Sequence, residues 1–70
     1  MSEVTMPMNG KLIDIRVQVG QSVKEDDEIV IIEAMKMELP VVATSSGTVK
    51  EIKVSVGESY QAGDVLVVIE

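Results

Sequence analysis

The chain has 70 residues and carries twelve acidic side chains against six basic ones, for a net charge of -6. A chain of this length forms one small domain that buries about 60% of its unfolded surface. It contains no Cys and no His, which excludes a disulfide framework, a thiolate zinc site and the common nucleophile–histidine pairs. The negative charge, with Tyr60 as the one aromatic residue, argues against binding to nucleic acid. We therefore expect that the chain is not an enzyme by itself.

Residues branched at Cβ dominate the apolar composition, with thirteen Val and seven Ile against three Leu and three Ala. Branching favours strands over helices, and no segment has a helical period. The longest apolar run, residues 29–32, is far too short to cross a bilayer, and residues 1–9 lack the pattern of a signal peptide. The composition therefore predicts a cytoplasmic, all-β domain without membrane insertion.

An internal repeat organises the chain. Residues 6–33 align without a gap with residues 43–70 at a constant offset of 37, and ten of the 28 pairs are identical. The identical residues are mostly turn glycines and apolar positions, which indicates two copies of one β unit. We therefore expect one domain, residues 1–70, in which the two copies are joined by a hairpin at residues 34–42.

Each copy is predicted to contain about four short strands. In the first copy, alternation of apolar and polar residues places Ile15, Val17 and Val19 on a buried face. Gly20 ends this strand at a turn that needs a positive φ, and Asp26 is suited to the same conformation in the next turn. In chain order, the predicted segments are 3–7, 10–20, the turn 24–27 and 28–33, followed by their equivalents 40–44, 47–57, the turn 61–64 and 65–70.

Two equivalent halves are expected to pack sheet against sheet with pseudo-twofold symmetry. The predicted fold is all-β, a flattened barrel or sandwich of two four-stranded antiparallel sheets. Symmetry places the junction between the copies opposite the chain ends, with Lys36 at the tip of a hairpin. Met35 and Met37 flank this lysine, and methionine suits a surface that another protein must contact. An exposed lysine amine can be acylated by a partner enzyme, which removes its charge and makes it a tether.

The junction Glu33-Ala34-Met35-Lys36-Met37 resembles the biotin-attachment sequence of the biotin carboxyl carrier domains. This resemblance covers essentially the whole chain and implies the barrel-sandwich fold of biotinyl and lipoyl domains. The ungapped repeat leaves no room for the thumb insertion of some bacterial acetyl-CoA carboxylase carriers. The other segments that carry the resemblance are Met6-Pro7-Met8-Asn9-Gly10, Val19-Gly20, Val56-Gly57, Ala62-Gly63-Asp64 and the final apolar strand.

The resemblance implies that a biotin protein ligase joins biotin, the expected cofactor, to Lys36 through an amide. The attached biotin would carry an activated carboxyl group between a biotin carboxylase site and a carboxyltransferase or decarboxylase site. The catalysis would belong to those partners, so no catalytic residue and no metal ligand is expected in this chain. The residues implied in ligase recognition and in presenting the lysine are Glu33, Ala34, Met35, Met37 and Glu38.

Two alternatives remain open. A lipoyl carrier domain would share the architecture and the lysine tip, but lipoyl domains usually have Asp before the lysine and Ala after it, where this chain has Met35 and Met37. An unmodified acidic module that binds a ligand or a metal would use the run of acids at residues 25–28. The spacing of that run does not match a Ca²⁺ loop, so the sequence favours a solvated turn there.

Overall fold

The computed structural model describes residues 2–70, which form eight strands in two four-stranded antiparallel sheets. Within this range there is no helix, and therefore none that could span a membrane. The predicted all-β architecture is confirmed. The strands are β1 (Ser2–Thr5), β2 (Gly10–Ile15), β3 (Ser22–Val23), β4 (Glu28–Ala34), β5 (Met37–Val42), β6 (Gly47–Ile52), β7 (Ser59–Tyr60) and β8 (Val65–Ile69).

The two halves of the chain interlock. One sheet has the strand order β1-β8-β6-β3 and the other β5-β4-β2-β7, so each sheet takes two strands from each half. A shift of 37 residues converts the first order into the second: forward for β1 and β3, which become β5 and β7, and backward for β6 and β8, which become β2 and β4. The same shift relates backbone hydrogen bonds: Asp26 donates to the carbonyl of Ala43 at 2.8 Å, and Gly63 donates to that of Met6 at 2.9 Å. Sheet therefore packs on sheet as expected, but neither sheet belongs to one half.

The turns follow the predicted backbone conformations. Gly20 and Gly57 have φ angles of 92° and 95°. In the next turn of each copy, Asp26 has a φ of 74° and Gly63 has a φ of 92°. Asp is one of the few side-chain-bearing residues that tolerate this left-handed region. It can therefore occupy a place that the second copy gives to glycine.

The core lies between the two sheets and draws on both copies. Its largest fully buried side chains are aliphatic, apart from the thioether of Met6, and they come mainly from the central strands. Tyr60 and Ile15 are partly buried and pack against the edge of this core. The largest fully buried side chains are Met6, Leu12, Ile29, Val30, Ile32, Val49, Leu66, Val67 and Ile69.

The predicted burial of Val19 was wrong. Val19 is 63% exposed and its equivalent Val56 is 56% exposed, although Val17 is buried. The reason is that β2 ends at Ile15, well before the turn at Gly20. Alternation along a strand no longer decides which way a side chain points once the chain has left the strand. Val19 and Val56 are therefore turn residues that face solvent.

Candidate functional site

The junction between the copies forms a two-residue β-turn. β4 and β5 pair as far as Ala34 and Met37, which leaves Met35 and Lys36 in the turn. Their φ angles are 52° and 64°, as in a type I′ turn, which requires positive φ at both central residues. Such positions usually hold Asn or Gly, because other residues lose about 1–2 kcal/mol there. This hairpin instead presents two long side chains from a strained turn.

The tip of the hairpin is open to solvent. Met35 is 87% exposed and Met37 is 61% exposed, whereas Ala34 beneath them is buried at 5%. Lys36 is also exposed. Its amine forms no ion pair within 4.0 Å in the part of the chain that the structure describes. The tip thus carries an amine that is accessible to a reagent, between two apolar side chains that another protein can contact.

Gly10 allows a close approach beneath the hairpin. A Cβ atom at Gly10 would lie 2.7 Å from the carbonyl oxygen of Glu33 and 3.3 Å from the Cβ of Ala34. The absence of a side chain therefore lets β2 pack against the last residues of β4. In the sequence analysis Gly10 is only the first residue of the predicted segment 10–20, with no packing role. The signal that could have revealed more is its repeat partner, Gly47, which approaches the carbonyl oxygen of Glu70 in the same way.

Two glutamates lie directly opposite each other at the base of the tip. Glu33 on β4 pairs with Glu38 on β5, and Lys11 on β2 is the partner of Glu33 on its other side. All three side chains are exposed. Like charges that face each other across a strand pair destabilise a hairpin slightly. The residues implied in recognition and presentation, Glu33 to Glu38, are thus gathered in one hairpin, with Ala34 buried and the others facing solvent.

The acidic run at residues 25–28 forms a turn. A side-chain oxygen of Asp27 accepts the backbone N–H of Lys24 at 2.8 Å, and Asp26 occupies the left-handed position of the turn. Asp64, the equivalent of Asp27 in the second copy, accepts the backbone N–H of Gln61 at 2.9 Å. No group of three or more potential metal ligands lies together within residues 2–70. The carboxylate of Asp27 therefore stabilises the backbone of this turn, as its repetition by Asp64 in the second copy indicates.

Comparison with known proteins identifies the family. The family model described as "biotin-requiring enzyme" matches residues 2–69. The biotin/lipoyl attachment protein of Bacillus subtilis (strain 168) is 43% identical over 47 residues, which cover 67% of this chain and 64% of that protein. The biotin carboxyl carrier protein of Streptococcus mutans is 46% identical over 43 residues, which cover 61% of this chain and 33% of that protein.

A solved structure gives the same result for the fold. The urea carboxylase of Kluyveromyces lactis contains a region that superposes with a TM-score of 0.93 and 36% sequence identity. The match covers 99% of this chain and 6% of that enzyme. The chain thus spans less than two thirds of the length of each of these relatives. With a family model that matches residues 2–69, the chain belongs to the family of biotin-requiring enzymes, as a domain of the biotin/lipoyl attachment type.

Proposed function

We propose that this chain is a biotin carboxyl carrier and that Lys36 is the residue to which biotin is attached. The observation that carries the proposal is the place of Lys36 at an exposed two-residue turn, between Met35 and Met37. A tip only two residues wide can enter the active site of a modifying enzyme without displacing the rest of the domain. Lys24 also lies in an exposed turn, but it has no apolar neighbours of this kind.

The hairpin tip fits a covalently attached biotin. Formation of an amide requires an amine that is accessible, and the amide removes the positive charge of that amine. Loss of charge at Lys36 leaves no carboxylate without a partner, because Lys36 forms no ion pair with the described residues. Modification at this position is therefore compatible with the fold before and after the reaction.

Biotin supplies a ureido group that accepts and releases a carboxyl group. The contribution of this chain is to hold that ureido group at the end of the flexible lysine side chain, which projects from the hairpin. The attachment keeps the ureido group at a high effective concentration near the partner enzymes. The partners in the proposal are a biotin protein ligase, a biotin carboxylase, and a carboxyltransferase or decarboxylase. Support comes from the S. mutans carrier protein and from the K. lactis urea carboxylase. Catalysis resides in those partners.

A lipoyl carrier is the second candidate function. It is supported by the name of the B. subtilis relative, a biotin/lipoyl attachment protein. The same lysine would be acylated in both cases, so the two candidates differ in the group attached and not in the site. The mass of the modified chain distinguishes them.

The proposal predicts a single modification at Lys36. After coexpression with a biotin protein ligase and excess biotin, intact mass spectrometry should show one biotinyl increment on the unaltered chain. The Lys36→Arg variant, which keeps the charge but lacks a primary amine, should show none. Lys24→Arg is the matched control, because Lys24 is also an exposed turn lysine, and it should still gain one increment.

Other outcomes contradict the proposal in distinct ways. A biotinyl group retained on Lys36→Arg would move the attachment to another residue. A lipoyl or octanoyl increment, obtained from cells that can supply either group, would establish the lipoyl carrier. No modification of a chain shown to be folded by circular dichroism would leave the hairpin without the proposed role.

A further inference from the structure

The exposed lysine lies in a surface formed by three neighbouring segments. The tip loop, residues 6–9, joins β1 to β2 and leads into Gly10, where a Cβ would lie 3.3 Å from the Cβ of Ala34 in the hairpin. The tip turn, residues 61–63, follows β7, the strand next to β2 in the sheet. The hairpin contributes residues 34–37. We call these three segments together the tip face.

Hydrogen bonds hold the tip turn against the tip loop. The backbone N–H of Gly63 donates to the carbonyl of Met6 at 2.9 Å. The side-chain oxygen of Asn9 accepts the backbone N–H of Ala62 at 2.8 Å. All residues of the tip turn are exposed. The turn therefore has a fixed position beside the hairpin and is open to a partner.

The tip face has no acidic side chain, although the chain carries twelve acids. Its one charged group is the amine of Lys36. Glu33 and Glu38 border the tip face at the base of the hairpin. Asp64 borders it at the turn, where its carboxylate accepts the N–H of Gln61 at 2.9 Å. Apart from the lysine, the tip face is therefore uncharged.

Comparison of the two copies shows that the backbone does not require this lack of acids. The tip turn has Ala62 and Gly63 where the equivalent turn of the first copy has Glu25 and Asp26. Both turns have a left-handed residue at the same position, with φ angles of 92° at Gly63 and 74° at Asp26. Acidic residues are thus accommodated in one copy and missing from the copy that lies beside the lysine.

An enzyme that acylates Lys36 must approach the tip turn as well as the hairpin. The amine lies at most about 6 Å from the Cα of Lys36, at roughly 1.25 Å of reach per bond. Neighbouring strands are about 4.8 Å apart, and β7 lies two strands from β4, so the tip turn is about 10 Å from the hairpin. A small specific contact buries about 600 Å² on each partner, equal to a disc about 14 Å in radius.

We propose that the tip face is the surface through which the chain contacts the biotin protein ligase, and that the ligase surface opposite the tip turn is uncharged. The inference rests on the proposed function, since it concerns the enzyme that would modify Lys36. Met8 and Met35, which are 36% and 87% exposed, supply apolar area to the contact. A carboxylate buried there without a partner would weaken binding.

The first copy supplies the variant that tests this surface. Ala62→Glu combined with Gly63→Asp gives the tip turn the residues found at Glu25 and Asp26, so the variant should fold. We measure biotin attachment by a biotin protein ligase to the apo chain. The KM for the chain should rise at least fivefold, whereas kcat should change less than twofold, because the amine of Lys36 is still presented.

Three further variants separate contact from other effects. Ala62→Glu alone keeps the test valid if the double variant does not fold, and it should raise KM at least twofold. Ala62→Gln adds similar bulk without charge and should raise KM by a smaller factor. Ser46→Glu adds one negative charge at the exposed equivalent of Asn9, beyond the end of β5 that is distant from the hairpin. It should leave KM unchanged.

The contact can also be observed without catalysis. The Lys36→Arg variant lacks the amine to be acylated, so it can be labelled with ¹⁵N and titrated with unlabelled ligase. The amide signals of the tip loop and the tip turn should shift or broaden together with those of residues 34–37. The signals of residues 24–26 and 43–46, the equivalents of the turn and the loop, should not change.

The outcomes distinguish this inference from the proposed function. Failure of the ligase to modify the unaltered chain would contradict the proposed function. If the unaltered chain is modified at Lys36, an unchanged KM for the folded charge variants, or signal changes confined to residues 34–37, would overturn the tip face as the contact surface. A lower KM for these variants would indicate a basic ligase surface and would overturn the uncharged contact.

Discussion

At the scale of single residues, Met35 and Lys36 are the positions where backbone and function conflict. Both have a positive φ in a two-residue turn, a conformation that Asn and Gly adopt more readily than Met and Lys. In the proposed function, Lys36 carries the acylated amine and Met35 the apolar surface beside it. The side chains at these positions are therefore the ones that a partner needs, although other residues would form the turn at lower cost.

Replacement of Met35 by Asn should stabilise the domain and impair its modification. Asn enters the left-handed region with less strain, which should raise the free energy of unfolding by about 1 kcal/mol. For a domain of this size that corresponds to a rise in Tm of about 4–8 °C. The rate of biotin attachment should fall, because the apolar contact is lost. Thermal denaturation followed by circular dichroism and a ligase assay measure the two effects.

Met37→Asn is the matched control for this prediction. Met37 is the first residue of β5 and is absent from the positions with positive φ. Asn is unfavourable in strands, so this variant should not gain stability. An equal rise in Tm for both variants, or a fall for Met35→Asn, would contradict the strain assigned to the turn.

At the scale of strands, close packing at Gly10 supports the hairpin. A Cβ at this position would lie 2.7 Å from the carbonyl oxygen of Glu33, so a larger residue must push β2 away from β4. Gly47 has the same role in the other sheet, where a Cβ would lie 2.6 Å from the carbonyl oxygen of Glu70 and from Cγ2 of Ile69. The two glycines occupy equivalent positions, but Gly10 packs against the base of the Lys36 hairpin and Gly47 packs against the end of β8.

Gly10→Ala is expected to reduce both stability and the rate of biotin attachment. Overpacking costs about 1–3 kcal/mol, and the displacement of Glu33 disturbs the base of the hairpin. Chemical denaturation measures the first effect. The second is measured by ligase kinetics at a temperature at which the variant is folded.

Gly47→Ala separates these two effects. It should lower the free energy of unfolding by a similar amount, since its Cβ meets neighbours at similar distances. It should leave the rate of biotin attachment unchanged, because no lysine hairpin lies above it. Equal rates for the two variants would show that the hairpin does not depend on the position of β2.

At the scale of the whole molecule, the interlocked sheets make each half depend on the other. β1 pairs with β8, β3 with β6, β5 with β4 and β7 with β2, so most strand pairs join the two halves of the chain. Among the strands of residues 2–70, only β2 with β4 and β6 with β8 pair within one half. A single pair of strands is marginally stable in water.

Neither half is therefore expected to fold alone. Peptides of residues 1–35 and 36–70 should each lack a cooperative thermal transition by circular dichroism, under conditions in which the complete chain melts in one step. The physical reason is that each of the four strands in a half loses a partner from the other half, which exposes apolar surface. A cooperative transition in either peptide would contradict the interlocked description of stability.

Much of the architecture was readable in the sequence because it depends on local conformation. The turns at Gly20 and Asp26 were predicted from the residues that tolerate positive φ, and both have it. The repeat placed the hairpin tip at Lys36, where the structure has it. Val17 is buried as predicted, although β2 ends two residues before it. Each of these depends on neighbours within a few residues or on comparison of one copy with the other.

The remaining features depend on which distant segments meet. Pairing between segments far apart in the chain produces the exchange of strands between the halves and the packing of Gly10 beneath Ala34. The end of β2 at Ile15, beyond which Val19 is exposed, was likewise not visible in the alternation. Period-two alternation specifies that a face is buried but not which strand covers it. The sequence therefore defined the unit and its exposed lysine, and tertiary packing decided what surrounds that lysine.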